Sequence, residues 1–332
     1  MKKEPGIGLI IEELQTLLKK LGTGQSDLID CSNFIDDILS QKDSEEIENM
    51  TISSKYSCHI MEYVIKMFEN AIDQEIPTSH QKISNDIKNY TEKTAFITKF
   101  KEKEKLQNLE TSLLEIGSLP VIQSGGNYFV DPFGSSDSKK LSSDVIICKV
   151  NSRYKDYNSL LIRSFMIDAE NSQQTKYKIL YESFNFLISK LVEGNVLGKI
   201  YQETIDFISD KDENLIQKLP ESFGFSIGLD LNNSIQIKKG SNKKITSDMV
   251  FFVMLSLEGL KNEKDFKYTL QIGDTVIVKP QILTNSISKS LTEINYDMED
   301  DEDDNANGNL KNEIDYDNNG KYNEILFLNK IK

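Results

Sequence analysis

Few residues in this chain of 332 carry reaction chemistry. His59 and His80 are its two histidines, both in helix-like patterns, and no imidazole follows His80. Cys58 and His59 are adjacent, so on a helix they point to different sides, and neither histidine sits in the spacing of a known nucleophilic triad. Structural roles are expected for both. Cys31, Cys58 and Cys148 are odd in number and far apart, with no C-x-x-C spacing, which argues against a disulfide framework or a zinc knuckle and for a reducing compartment. Asp315-Tyr-Asp317-Asn-Asn319-Gly320 imitates the opening of a calcium loop, but its twelfth position is Leu326 where a bidentate Glu is needed. Lys238, Lys239, Lys243 and Lys244 cluster without interleaved aromatics to stack bases, so they read as a solvated tip and not as a nucleic-acid contact.

The elements that must position these residues centre on 223–278. Phe223–Leu231, Met249–Leu257 and Tyr268–Val278 are rich in β-branched and aromatic residues and separated by Gly, Asn and Lys, which predicts an antiparallel meander. Upstream, residues 8–21 have helical spacing and stop at Gly22-Thr-Gly24. Asp43-Ser-Glu-Glu offers an N-cap to a long helix with Ile47, Met50, Ile52, Tyr56, Ile60, Tyr63, Val64 and Met67 on one face. A second helix starts near Ser79, and strands are predicted from Val121, over 145–150 and over 160–167, the last two as a hairpin. Helices then return over 177–191 and 196–208 before the final strands. Helix, helix, strands thus occurs twice, the order of an α+β fold.

An acidic insertion at about 296–322 contains Glu299, Asp300, Asp301, Glu302, Asp303 and Asp304, a like-charge density that predicts disorder, and 324–329 resumes a strand pattern. Residues 1–40 read as a terminal segment or linker and 41–332 as one domain. Asp plus Glu number 53 against 39 Lys plus Arg, a net charge of −14, which disfavours broad attraction to phosphates and favours a basic partner. No apolar run is long enough to cross a bilayer and no signal-peptide pattern opens the chain, so no membrane partner is expected.

Gly224-Phe-Ser-Ile-Gly-Leu-Asp230, Asp248-Met-Val-Phe251 and Ile272-Gly-Asp-Thr-Val-Ile-Val278, in that order, resemble the final strands of the pita-bread fold of methionine aminopeptidase, aminopeptidase P and creatinase. Pro120-Val-Ile-Gln-Ser-Gly-Gly-Asn-Tyr128, Tyr157–Asp168 and Ser79-His-Gln-Lys-Ile83 are similar to the peptidase-like domain of the large subunit of the FACT histone chaperone. The resemblance runs from about Asp43 to the end. It implies two pseudo-symmetric helix-helix-strand halves around a curved antiparallel sheet, preceded by an N-terminal lobe of which residues 1–40 would be the last segment.

Active members of that superfamily hold two divalent metals with two Asp, one His and two Glu. Motif by motif these positions fall on Lys149, Leu160, Phe225, Met254 and Gly273, none of which can act as such a ligand. The resemblance therefore implies no enzyme, no metal and no cofactor. It implies a histone-binding domain of a nuclear, chromatin-associated chaperone that reorganises nucleosomes in transcription, replication and repair. Its partners would be the core histones and their basic tails, with the small HMG-associated subunit engaged through regions outside this chain. A cleft at Ser124, Gly125, Gly126 and Asn127 with Asp230, and the acidic run 299–304, are the expected contact regions; no sequence-specific nucleic-acid binding is expected. The alternatives are a passive scaffold for replication or transcription partners, and a residual metallopeptidase.

Overall fold

The computed structural model describes residues 16–20, 31–231 and 235–278, plus the backbone of 289–290, 315–316, 322–323 and 327–328. Contacts divide the chain into Met1–Ile38 and Leu39–Lys332. Of the helix expected over 8–21, residues 16–20 are described and are helical. Helix α1, Ser32–Ser40, was not anticipated from the sequence and spans the division.

In the larger unit, α2 (Ser44–Asp73) begins at the expected cap. Asp43 Oδ1 accepts the Glu46 N–H at 2.8 Å while Glu46 Oε2 accepts the Asp43 N–H at 2.8 Å, which satisfies two otherwise orphaned donors. Its stripe of Tyr56, Ile60, Met61, Val64 and Phe68 is buried against α3 (His80–Thr91), α4 (Thr94–Lys103) and one face of β1 to β3. Those strands are Leu114–Gln123, Val145–Tyr154 and Tyr157–Ile167. Strands β2 and β3 form the predicted hairpin, longer than expected because Lys155 (φ 48°) and Asp156 (φ 67°) turn the chain between Tyr154 and Tyr157.

In the second half, α5 (Asn171–Lys190) and α6 (Leu197–Lys211) pack on β4 (Ser222–Ser226), β5 (Gln236–Lys238), β6 (Val250–Lys261) and β7 (Lys267–Ile277). The strand order is β1-β2-β3-β7-β6-β4-β5. Because β4 lies between β5 and β6, the expected simple meander is corrected: residues 239–249, which carry Lys239, Lys243 and Lys244, form a crossing connection and not a hairpin tip. The Leu197 N–H donates to Lys243 O at 3.0 Å, tying that connection to the start of α6.

The halves meet at β3 and β7, registered at the single pair Ile162 and Gly273. Arg163 and Asp274, the next residues, form a buried ion pair at 2.8 Å, and Arg163 also donates to Ile162 O at 2.9 Å and Gly273 O at 3.1 Å. Asp274 raises the Arg163 pKa further above its ordinary range against the cost of burial. Where backbone pairing gives out, this ion pair and the hydroxyls of Thr275, bonded to the Leu160 main chain, and Ser164, bonded to the Gln271 main chain, close the seam.

The acidic run 299–304 and most of 315–326 lie outside the described residues. Asp315–Tyr316 pairs with Tyr322–Asn323, and Phe327–Leu328, from the strand expected at 324–329, runs parallel to Met166 and Ile167.

Candidate functional site

Register brings together the five positions that the resemblance assigns to metal ligands. Lys149 is opposite Ile162, Ile162 opposite Gly273, and Gly273 opposite Met254; Leu160 lies two residues from Ile162, and Phe252, two from Met254, is opposite Phe225. Paired residues share a face and alternate residues return to it, so Lys149, Leu160, Phe225, Met254 and Gly273 all occupy one face of the sheet.

That face is filled. Leu160 and Met254 pack in an apolar cluster with Ile147, Ile162, Phe252 and Ile277. Phe225 lies 5.5 Å from the Phe252 ring and 5.9 Å from the Phe133 ring, centroid to centroid. A Cβ at Gly273 would stand 2.9 Å from the Phe252 ring, so the aromatic occupies the space that a side chain there would need. The Lys149 ammonium donates to Phe129 O at 2.6 Å, Asp131 O at 2.9 Å and Val130 O at 3.4 Å, holding the 129–131 segment against the sheet. Burial pushes its pKa down to about 7 while Asp131 and Glu258 pull the other way. A cation, hydrocarbon, a thioether and a bare glycine do not fit a pair of hard divalent ions.

The Ser124–Asn127 turn is organised by a contact the sequence did not disclose. His80 Nδ1 lies 2.6 Å from Asp137 Oδ1, and His80 Nε2 lies 2.7 Å from Ser124 Oγ. Burial raises the Asp137 pKa, but hydrogen bonds from His80, the Lys139 N–H and Asn127 outweigh it and hold the carboxyl below its usual range. The His80 Nδ1–H donates to the Asp137 carboxylate, and the Ser124 hydroxyl donates to Nε2.

These are the distances of a serine triad, in contrast to the expectation that neither histidine takes part in one. Ser124 is only 1% exposed, however, and its Oγ also accepts the Ser142 N–H at 2.9 Å. A hydroxyl so enclosed cannot meet a substrate carbonyl, and the set acts as a stitch joining α3, the end of β1 and the 137–142 segment. Gly125 (φ 69°) and Gly126 (φ 86°) then turn the chain outward in conformations that favour glycine, and Asn127 Nδ2 donates to Asp137 Oδ2 at 3.0 Å. Asp230 lines a cleft with Leu39, Lys42, Glu46, Ile227, Gly228 and Leu229, whose lining does not include the 124–127 turn. The cleft expected from the sequence is therefore two separate places.

The fold and this face define the class: the profile of metallopeptidase family M24 matches residues 48–280, and the chain belongs to that family. The crystal structure of prolidase from Thermococcus sibiricus superposes with a TM-score of 0.65 at 17% identity, covering 88% of this chain and 68% of that one, a likeness of fold. Within the family the chain is homologous to the N-terminal domain of FACT complex subunit SPT16. It is 31% identical to the Oryza sativa subsp. japonica protein over 314 residues (90% of this chain, 29% of the relative) and 29% identical to that of Debaryomyces hansenii over 309 residues (89% and 30%). The SPT16 N-terminal domain from Cicer arietinum superposes with a TM-score of 0.74 at 26% identity, covering 84% of this chain and 65% of that one. The chain spans about three tenths of the length of these curated relatives.

Proposed function

We propose that this chain is a non-catalytic interaction domain of a FACT-type histone chaperone, binding core histones and their basic tails during nucleosome reorganisation on nuclear chromatin. The observation that carries the non-catalytic part is Lys149, whose ammonium lies on the face where the superfamily places its metals and is taken up by three main-chain carbonyls. Similarity to SPT16 supports the chaperone assignment, and the net charge of −14 suits a basic partner. The domain acts by masking: acidic and polar surfaces engage histone segments and compete with DNA phosphates, with no turnover. The exposed turn at Gly125, Gly126 and Asn127, the cleft at Asp230, and the acidic run Glu299 to Asp304 are the surfaces assigned to contact. The domain boundary near residue 40, the HMG-associated small subunit engaged elsewhere in the full protein, and transcription or replication factors as further partners belong to the same reading. Titration of the chain with each core histone pair over a salt series tests it. Saturable binding that weakens with salt is expected, and no binding at low salt would leave the domain a scaffold.

A further inference from the structure

The outer surface of the α5–α6 pair carries one pattern twice. Glu182, Phe186 and Lys190 follow one another at four-residue intervals on α5, and Glu203, Phe207 and Lys211 do so on α6, so each trio lies along one helix face. The two trios interlock. The Phe186 and Phe207 rings stack with 4.3 Å between centroids and 10° between their planes. Lys190 Nζ lies 4.8 Å from the Phe186 centroid and 3.2 Å from Glu203 Oε2, while Lys211 Nζ lies 4.9 Å from the Phe207 centroid and donates to Glu182 Oε2. Each helix thus supplies the ring and lysine of one station and the carboxylate of the other. The cluster stands outside the core: Phe184, Leu187, Ile200 and Ile208 pack the two helices on the sheet, whereas both stacked rings are half-buried and the four charged side chains are 30–36% exposed.

Both stations hold a cation between an aromatic ring and a carboxylate, and in both the cation is the chain's own. Lysine fills such a place poorly, because its compact, strongly hydrated ammonium meets the ring at a point and an exposed ion pair holds weakly. A guanidinium is planar, stacks on a ring and offers two parallel N–H groups to a carboxylate. Lys190 and Lys211 are the last residues of their helices, on flexible stems that can swing aside without moving the backbone. With them withdrawn, Glu182, Glu203 and the exposed Asp206 and Asp210 leave the face acidic even with Lys199 in place, 3.6 Å from Glu203. We infer that the α5–α6 face is a docking surface for a basic partner segment that sets two arginines on these stations, one at Phe186 and Glu203 and one at Phe207 and Glu182, displacing Lys190 and Lys211. The inference rests on the basic-partner reading above and specifies the side chain recognised and the place.

The test titrates the full chain by calorimetry at low salt with a short peptide of alternating arginine and glycine, and with the same peptide carrying lysine for arginine. Removing the resident cations in K190A/K211A should tighten the arginine peptide about 3- to 10-fold, and removing the carboxylates in E182Q/E203Q should weaken it by a similar factor. K238A/K239A changes the net charge as K190A/K211A does, but at the exposed end of β5, and sets the gain due to charge alone. An equal gain in the two lysine variants, or equal affinity of the wild type for the two peptides, would overturn the inference. Should a double variant fail to fold, wild type labelled on its phenylalanine rings decides: the Phe186 and Phe207 signals are expected to shift with the arginine peptide, and unmoved rings refute the site. Core histone pairs titrated on the same samples separate the two readings. Histone binding without arginine preference removes this inference and leaves the histone reading standing, and arginine binding at this face without histone binding does the reverse.

Discussion

Lys149→Met isolates the buried ammonium at the position where the family resemblance would put a metal-binding carboxylate. The side chain is 2% exposed, and its burial depresses the pKa to about 7. In the unfolded chain a lysine titrates near ~10.4, so between about pH 7 and pH 10 the unfolded state holds a proton that the folded state has released. Stability from this group therefore rises with pH across that window. The maximal slope is about 1.36 kcal/mol per pH unit, and below about pH 7 both states are charged and the full penalty is present. The total is roughly 4–5 kcal/mol, and the part falling between pH 7 and pH 9 is about 2 kcal/mol. Methionine deletes the titration and also leaves the carbonyls of Phe129, Val130 and Asp131 without their donor, an offset that does not vary with pH. Urea denaturation of wild type and variant at pH 6, 7, 8 and 9 measures the difference. Wild-type stability relative to the variant should be level from 6 to 7 and then climb by about 2 kcal/mol by pH 9. A constant difference across the whole range would refute the reasoning and mean that the carbonyl cage keeps the lysine charged in the fold.

Other substitutions probe the remaining supports. Gly273→Glu puts a Cβ 2.9 Å from the Phe252 ring and should cost about 1–3 kcal/mol in urea denaturation while conferring no manganese or cobalt binding by calorimetry. Asp274→Ala leaves Arg163 buried without its partner and should cost about 3–5 kcal/mol, the largest loss among these variants. Ser124→Ala should cost about 1–3 kcal/mol by unpairing His80 Nε2, and a fluorophosphonate should leave the wild-type hydroxyl unlabelled; labelling at Ser124 would contradict the stitch. Deleting residues 298–320 should weaken binding of basic peptides and flatten its salt dependence, with unchanged affinity at low salt removing the role of Glu299 to Asp304.

The large elements were legible because their patterns are local. The capping box at Asp43 and Glu46 and the β-rich runs of 249–257 and 268–278, which became strands 250–261 and 267–277, all show within a few residues of sequence. The α4 helix Thr94–Lys103 was missed because its N-cap, Lys93, makes no side-chain cap and its charges alternate without a clear stripe. Strand β1 starts earlier than expected because register shifts between Ile116 and Val121 break the period-2 signal. Chain distance hid the rest. His80, Ser124 and Asp137 are separated by 44 and 57 residues, and no spacing rule joins them. Arg163 and Asp274 meet only because β3 and β7 cross at Ile162 and Gly273. The start of the crossing connection 239–249 was legible as polar and glycine-containing, but its route depends on β4 pairing with both neighbours, which is a property of the whole sheet.

The central claim is an interaction domain without catalysis. One titration tests it most directly: the chain, purified without chelator, against each core histone pair at several salt concentrations, with bound metal and peptide cleavage assayed on the same samples. Saturable, salt-weakened binding of at least one histone pair is expected, with neither stoichiometric metal nor cleavage. Stoichiometric metal with peptide hydrolysis, or no histone binding at the lowest salt, would contradict it.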